Sequence, residues 1–184
     1  MRVGVHVSIA KALDLAIDRA IERDCNVFQI FTRNPRGWSY KPLEKDQIEK
    51  FSRKMRQHNF DVVVSHMPYL PNLASPRDEV YEKSVDTLIA ELDRCEKLGI
   101  KYLVIHLGSH LGLGMENGFK RLTSALERAI HKSKGETMML LENTAGTKNS
   151  LGSRFQDIKY ILDSLDNPKE VGICFDTCHA FAAG

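Results

Sequence analysis

Short apolar stretches alternate with longer stretches of helical periodicity along the whole of this 184-residue chain. An apolar run bounded by polar residues predicts a buried strand, and apolar residues spaced three or four positions apart predict an amphipathic helix. The later runs are almost continuously apolar, as in strands that are covered on both faces. Six strands are expected, at residues 2–7, 27–31, 61–65, 101–105, 138–141 and 171–175.

A predicted helix follows each of the first five strands. Ser75 and Pro76 are typical of a helix start, with serine at the cap and proline at the first helical position. Gly99 is typical of the end of that helix. The other helices are expected at residues 9–24, 44–57, 119–132 and 155–165.

Regular alternation of strand and helix predicts a parallel sheet with helices outside it. The candidate α/β folds are an open doubly wound sheet and a TIM (β/α)8 barrel. The dinucleotide-binding version of the first carries a glycine fingerprint after its first strand, but residues 6–10 here read His-Val-Ser-Ile-Ala. A barrel is favoured. Because a complete one takes ~250 residues, we expect residues 1–184 to form a single barrel domain of about six βα units, with its C-terminal part missing.

Composition narrows the class of protein without naming it. A net charge of +2 permits nucleic-acid binding but does not predict a dedicated basic domain. The four cysteines form no CxxC pair, and no signal peptide is apparent, so we expect reduced thiols and a cytoplasmic location. No apolar run approaches the ~20 residues of a membrane helix, and no membrane partner is expected.

Four metal-ligating side chains close four consecutive strands: His66, His106, Glu142 and Asp176. Neighbouring strands lie ~4.8 Å apart, so their carboxyl ends should bring these side chains into one cluster. Two imidazoles and a carboxylate suit a hydrolytic zinc ion. Glu142 has two oxygens and can bridge to a second ion. Asp176 and His179, which we expect in the loop after the sixth strand, extend the cluster.

A single histidine or glutamate after a strand is more often a loop residue or a helix cap than a metal ligand. Four such residues in register are hard to explain by coincidence, which favours the metal site. His6, which closes the first strand, has two open interpretations. It either supports a ligand or substrate in this cluster, or is a hydrogen-bonded structural histidine.

Two loops after early strands combine cations with aromatic and apolar side chains. The first, residues 32–41, includes Arg33, Arg36 and Trp38, and the second, residues 67–74, includes Tyr69 and Leu70. Such side chains bind phosphates and wedge between bases in DNA-binding proteins. The alternative is a surface loop that Trp38 anchors to the barrel.

Several longer motifs together resemble one family, endonuclease IV, the zinc-dependent apurinic/apyrimidinic endonucleases of base-excision repair. The resemblance extends over the whole chain, and its last two motifs are the most specific. The motifs are GVHVS at residues 4–8, FTRNPRGW at 31–38, SHMPYL at 65–70, HLGSH at 106–110, LENTAG at 141–146 and FDTCHAFAAG at 175–184.

The resemblance implies a TIM barrel with three zinc ions. By matching position, His66, His106 and Glu142 would bind the first ion. Glu142 would bridge to a second ion that Asp176 also binds, and His179 would bind the third. Members of the family continue beyond the position of residue 184 with two more strands and further metal ligands. We therefore expect about one zinc ion to have all of its protein ligands in this chain.

The resemblance also implies a reaction and a DNA partner. Arg36, Tyr69 and Leu70 match the side chains that the family inserts at its damage site through the minor groove. The implied reaction hydrolyses the phosphodiester 5′ to an abasic site in duplex DNA, with a metal-bound hydroxide as nucleophile and Glu142 in the catalytic centre.

Two other functions remain open at this stage: a metal-dependent sugar isomerase or epimerase of a related barrel, and an inactive metal-binding fragment. An incomplete barrel also leaves its first and sixth strands with unpaired edges. We therefore expect the chain to associate with itself or with a complementary fragment.

Overall fold

A computed structural model describes residues 1–133 and 135–184. It contains five parallel strands, β1 Phe28–Ile30, β2 Val63–His66, β3 Tyr102–His106, β4 Met138–Glu142 and β5 Val171–Cys174. The helices are α1 Leu15–Ile21, α2 Lys45–Gln57, α3 Asp78–Leu98, α4 Met115–Lys132, α5 Phe155–Asp163 and α6 Thr177–Ala183, with a 3-10 turn at Pro168–Glu170. Within these residues no helix is both long and apolar enough to cross a membrane.

Each strand pairs with the next strand along the chain, so the sheet order is β1-β2-β3-β4-β5. A doubly wound sheet reverses its strand order at a switch point, whereas a barrel wall does not. The sequential order therefore excludes the doubly wound alternative. The described part of the chain forms an open arc of barrel wall with its helices outside.

Parallel pairing aligns the carboxyl ends of the strands at one edge of the sheet. His66 lies opposite Val104, and His106 lies opposite Glu142. Glu142 in turn lies opposite Cys174. The side chains that close successive strands are therefore neighbours, because the ladder hydrogen bonds fix which residues face each other.

The first predicted strand is only partly formed. Residues 2–7 run beside β1, but the pairing is a single bridge between His6 and Gln29, supported by hydrogen bonds from Val7 N to Gln29 O and from Gln29 N to Val5 O. The segment has one neighbouring strand among the described residues, and Val3 and Val5 are exposed. With few ladder bonds and little apolar cover, it does not extend into a regular strand.

Several helix boundaries differ from the predicted ones: α1 spans Leu15–Ile21 instead of residues 9–24, and α4 begins at Met115 instead of residue 119. The third helix begins at Asp78 with Arg77 at its cap, and not at Ser75-Pro76. The Ser75 hydroxyl accepts a hydrogen bond from Arg77 N and so closes a turn before the helix. The predicted end is right: Gly99 adopts φ 69°, a left-handed conformation that glycine tolerates well. The sixth helix, α6, was not predicted.

A single apolar core lies between the sheet and its helices. Leu103, Val104 and Ile105 are successive residues of β3 and all are buried, so this strand is covered on both faces as its apolar run predicted. Leu88 and Leu92 bring the inner face of α3 into the same core. All four cysteines are free.

A buried ionic network anchors the loop of residues 32–41 to α3. Glu91 accepts from Arg33 Nε at 2.6 Å and from Thr32 Oγ1 at 2.7 Å. Arg94 donates to Thr32 and to the Lys41 carbonyl. Burial raises the pKa of Glu91, and its hydrogen bonds and neighbouring arginines oppose that rise. Arg33, grouped by sequence with possible DNA-binding cations, is thus held inside the protein.

Glu91→Ala should strongly destabilise the fold, because it leaves the buried Arg33 guanidinium without its counter-charge. Breaking a buried pair in this way costs about 3–5 kcal/mol. Denaturant unfolding monitored by circular dichroism would measure the loss. Glu79→Ala is a matched control on the same helix, since Glu79 forms only an exposed pair with Lys83. Equal shifts of the unfolding midpoint in both variants would contradict the structural role of Glu91.

Candidate metal centre

The ends of β2, β3 and β4 bring His66, His106 and Glu142 into one group. Glu142 Oε2 lies 3.0 Å from His106 Nε2 and 3.5 Å from His66 Nε2. One potential ligand atom from each residue lies within 4.8 Å of the others. The local cause is register: each side chain is the last residue of its strand, and the three strands are consecutive neighbours.

The Glu142 carboxylate is buried and charged. Burial by itself would raise its pKa, but the facing imidazoles of His106 and His66 outweigh burial and lower the pKa to about 2. Despite these short distances, Oε2 makes no hydrogen bond of good geometry with any described residue. A buried, ionised oxygen with two imidazole nitrogens aimed at it and no hydrogen bond is an arrangement that a divalent cation would satisfy.

A hydrogen bond fixes the orientation of the His66 ring. Its Nδ1 donates to the Met67 carbonyl at 2.7 Å, so Nε2 is the ring nitrogen that faces Glu142. A ring held in this way presents the correct tautomer to a metal. The His66 side chain is buried, while that of His106 is partly open to solvent, so the group is accessible from one side.

Glu142 also belongs to a second group, with Asp176 and His179. Its Oε1 lies 4.0 Å from His179 Nδ1, and Asp176 Oδ2 lies 3.9 Å from the same nitrogen. The two groups therefore share one carboxylate, with a different oxygen directed to each. His179 does not lie in a loop as expected. It lies in the first turn of α6, whose cap is Asp176: Oδ1 accepts from His179 N at 2.7 Å.

Asn143 was not predicted as an individual site residue, although it follows Glu142 directly. Its backbone carbonyl accepts from His179 Nδ1 at 2.9 Å, and its side-chain amide hydrogen bonds with the backbone of Asp176. An amide is a poor zinc ligand, so a search for ligands gives no reason to select it. The available signal was its position beside a predicted ligand, in a loop where a buried amide needs partners.

His6 lies outside both groups. Its Nδ1 is 2.8 Å from Gln29 Oε1, and its ring packs against Phe31 at a centroid distance of 4.5 Å. Phe31 in turn packs against His66 at 5.5 Å. Any support from His6 to the metal ligands would therefore pass through an aromatic ring, and its role stays a prediction.

The two expected DNA-binding loops meet beside the histidines. Tyr69 N donates to the Pro35 carbonyl at 3.2 Å, which ties one loop to the other. The Tyr69 ring is 6.2 Å from that of His66, yet 59% of the residue is exposed. Leu70 is 40% exposed and Arg36 is also exposed. All three side chains are available to a partner on the side of the sheet that carries the metal-ligating groups.

Comparison with known proteins places this fold in a family. The family model described as "Xylose isomerase-like TIM barrel" matches residues 17–184. The chain belongs to the xylose isomerase-like TIM barrel family. The barrel prediction is therefore confirmed, and the open five-stranded sheet agrees with the expected incomplete barrel.

Relatives within this family have consistent names. "Probable endonuclease 4" of Nitrosopumilus maritimus is 53% identical over 186 residues, covering 100% of this chain and 66% of the relative. Endonuclease IV from Thermus thermophilus superposes with a TM-score of 0.89 at 32% identity, covering 100% of this chain and 65% of that one. These matches confirm the resemblance to endonuclease IV, and the chain spans about 65% of the length of these relatives.

A D-tagatose 3-epimerase-like protein shares the fold at lower similarity. Its TM-score is 0.74 at 21% identity, and the match covers 99% of this chain and 68% of that protein. At this level of identity the likeness concerns the fold alone.

His106→Ala should remove most metal from the purified chain, because it removes one of the three donor side chains of the group formed by His66, His106 and Glu142. Zinc per chain, measured by atomic absorption after dialysis, should fall from about one to near zero. His131→Ala is the control, since His131 is exposed on α4 and pairs only with Glu127. Undiminished zinc in His106→Ala would show that this group is not the binding site.

Proposed function

We propose that this chain belongs to a zinc-dependent DNA-repair endonuclease that hydrolyses the phosphodiester 5′ to abasic sites in duplex DNA. The observation that carries the proposal is a buried carboxylate, Glu142, shared by two potential metal-binding groups beside two exposed loops. The relatives named endonuclease 4 support it. A repair enzyme with free thiols is expected to work in the cytoplasm.

The proposed metal is zinc, held first by His66, His106 and Glu142. Asp176 and His179 would contribute to further ions, whose remaining ligands lie outside this sequence. The complete family fold would hold three zinc ions in total. When bound, zinc in such a set acidifies water and stabilises negative charge on phosphate oxygens. Glu142 would orient both groups, because each of its oxygens faces a different one.

The proposed DNA surface consists of Arg36, Tyr69 and Leu70. An exposed cation can bind the phosphate backbone, and exposed aromatic and apolar side chains can fill the gap that a displaced nucleotide leaves. Extruding an abasic nucleotide costs least because it has no base to unstack or unpair. The Tyr69 ring lies beside His66, so a nucleotide displaced there would be close to the metal-binding groups.

A sugar isomerase or epimerase is the weaker candidate. Its support is the fold shared at 21% identity. A pocket for a small sugar gives no reason for Tyr69 and Leu70 to be exposed in joined loops, whereas a DNA surface does.

We further propose that residues 1–184 are one part of a single barrel domain and that their open edges bind a partner. Ile173 in β5 and Phe175 just after it are more than half exposed, and Phe181 on α6 is 90% exposed. Val3 and Val5 are exposed beside the other edge. Apolar side chains next to unpaired strand edges favour association with a second copy or with a complementary fragment.

Sedimentation velocity should therefore show self-association that rises with protein concentration. The double variant Ile173→Lys, Phe175→Lys should shift the chain toward monomer, because burying a charged lysine in an apolar interface is unfavourable. Tyr160→Lys serves as the control, since Tyr160 is an exposed residue of α5 that packs against Phe119 of α4. A stable wild-type monomer at high concentration would contradict this proposal.

Tyr69→Ala and Arg36→Ala should each weaken binding to duplex DNA that carries an abasic analogue, while zinc content stays unchanged. For Tyr69, loss of one stacked aromatic contact costs about 1–3 kcal/mol, roughly 5- to 150-fold in affinity. Fluorescence anisotropy would measure the dissociation constants. Tyr160→Ala and Arg53→Ala are matched exposed controls on α5 and α2. A collapse of zinc content in either loop variant would instead give these residues a structural role.

Incision of abasic duplex by this chain should be many orders of magnitude slower than by the complete relatives. Missing charge stabilisation costs several kcal/mol at the transition state, and each ~1.4 kcal/mol is a tenfold loss in rate. Zinc stoichiometry and incision would be measured on the same preparation. Glu142→Gln should remove any residual incision and so distinguishes it from contaminating nuclease. Full activity with three zinc ions would overturn this view of the ligand set.

A further inference from the structure

The side-chain amide of Asn143 forms hydrogen bonds with both the backbone N–H and the backbone carbonyl of Asp176. Its Nδ2 donates to Asp176 O at 2.9 Å, and its Oδ1 accepts from Asp176 N at 2.7 Å. An amide offers a donor and an acceptor side by side, so one side chain satisfies both backbone groups. Asn143 is only 3% exposed, and these bonds are therefore protected from exchange with water.

This contact begins where the sheet ends. The last paired residues of β4 and β5 are Glu142 and Cys174, and only a long 3.4 Å bond from Asn143 N to Cys174 O lies beyond them. The side chain of Asn143 thus extends the connection between two neighbouring strands into the loops that follow them. Without it, no ladder bond would fix Asp176 relative to Glu142.

The same residue also controls the direction of two other side chains. Because its backbone is held, Asp176 uses Oδ1 to cap α6 and has Oδ2 free. The backbone carbonyl of Asn143 accepts from His179 Nδ1, so Nε2 is the ring nitrogen that is left for a ligand. We propose that Asn143 is a positioning residue that sets Asp176 and His179 in place around Glu142 to complete the second metal-binding group.

The positioning matters because a metal site tolerates little displacement of its ligands. Donor atoms need to lie within about 0.5 Å of their productive positions, and the residues that support them affect metal affinity by roughly 10–100-fold. Asp176 and His179 come from a different strand and helix than Glu142. Asn143 is adjacent to Glu142 in the chain and bonded to both of the other residues, so it links all three.

Asn72 supplies a control with the same chemistry. Its Nδ2 donates to Ser109 O at 2.9 Å, and its Oδ1 accepts from Ser109 N at 2.9 Å. It joins the loop after β2 to the loop after β3, as Asn143 joins the loops after β4 and β5. Ser109 belongs to neither potential metal-binding group. Loss of the Asn72 contact should therefore destabilise loops without disturbing the second group.

The test compares wild type, Asn143→Ala and Asn72→Ala in two measurements. Cobalt titration followed by visible absorption monitors metal binding, and rests on the proposed metal centre. We expect a strong binding event at the group of His66, His106 and Glu142 in all three proteins. A weaker second binding event, at the group of Glu142, Asp176 and His179, should lose at least tenfold in affinity in Asn143→Ala. Long-range proton–nitrogen NMR of the imidazoles needs no metal. Asn143→Ala keeps the backbone carbonyl that accepts from His179 Nδ1, but it frees Asp176, which caps the helix that carries His179. The Nδ1-protonated tautomer of His179 should therefore persist in Asn72→Ala and be lost in Asn143→Ala.

An unchanged second event and unchanged His179 tautomer in Asn143→Ala would overturn the proposal, as would equal losses in Asn143→Ala and Asn72→Ala. If wild type binds no metal at all, the proposed metal centre fails, while the tautomer comparison still decides the role of Asn143. Should Asn143→Ala not fold, Asn143→Asp keeps the shape and the acceptor but not the donor. Its added negative charge favours cations, so weaker cobalt binding would support the proposal and unchanged binding would overturn it.

Discussion

The hydrogen-bonded register between β3 and β4 is the constraint on which the candidate site depends. It places His106 directly opposite Glu142, and the pairing of β2 with β3 brings His66 to the same carboxylate. A slip of one residue would turn these side chains to the other face of the sheet. The geometry of the site is therefore specified by the same ladder bonds and buried apolar residues that stabilise the barrel wall, so it needs no dedicated element of its own.

This arrangement carries an energetic cost. Glu142 is kept charged in a buried position by two imidazoles that make no well-formed hydrogen bond to its Oε2. In a protein selected for stability alone, an apolar residue or a complete hydrogen-bond network would be more favourable. A buried charge that is only partly satisfied is typical of a functional site, where a ligand provides the missing interaction. The proposed metal ion would play that part.

Beyond the strands, buried polar side chains determine which loop residues are held and which remain available. Glu91 binds Arg33 inside the protein and so holds the start of the loop of residues 32–41, while Arg36, three residues later, is exposed. Asn72 and Asn143 join successive loops in the same way along the carboxyl edge of the sheet. These contacts connect the loops at this edge to one another and to α3.

The sequence by itself determined the order of strands and helices, the barrel class and the polar residues that close each strand, because burial leaves a periodic pattern that is local in the chain. The tertiary structure alone decided that residues 2–7 form only a bridge and that Arg33 is buried. The helix that contains His179 had a local signal that was missed, an aspartate cap before an alanine-rich stretch. The contact of Asn143 with Asp176 could not be predicted from the sequence, because the two residues lie 33 positions apart and only the folded register brings them together.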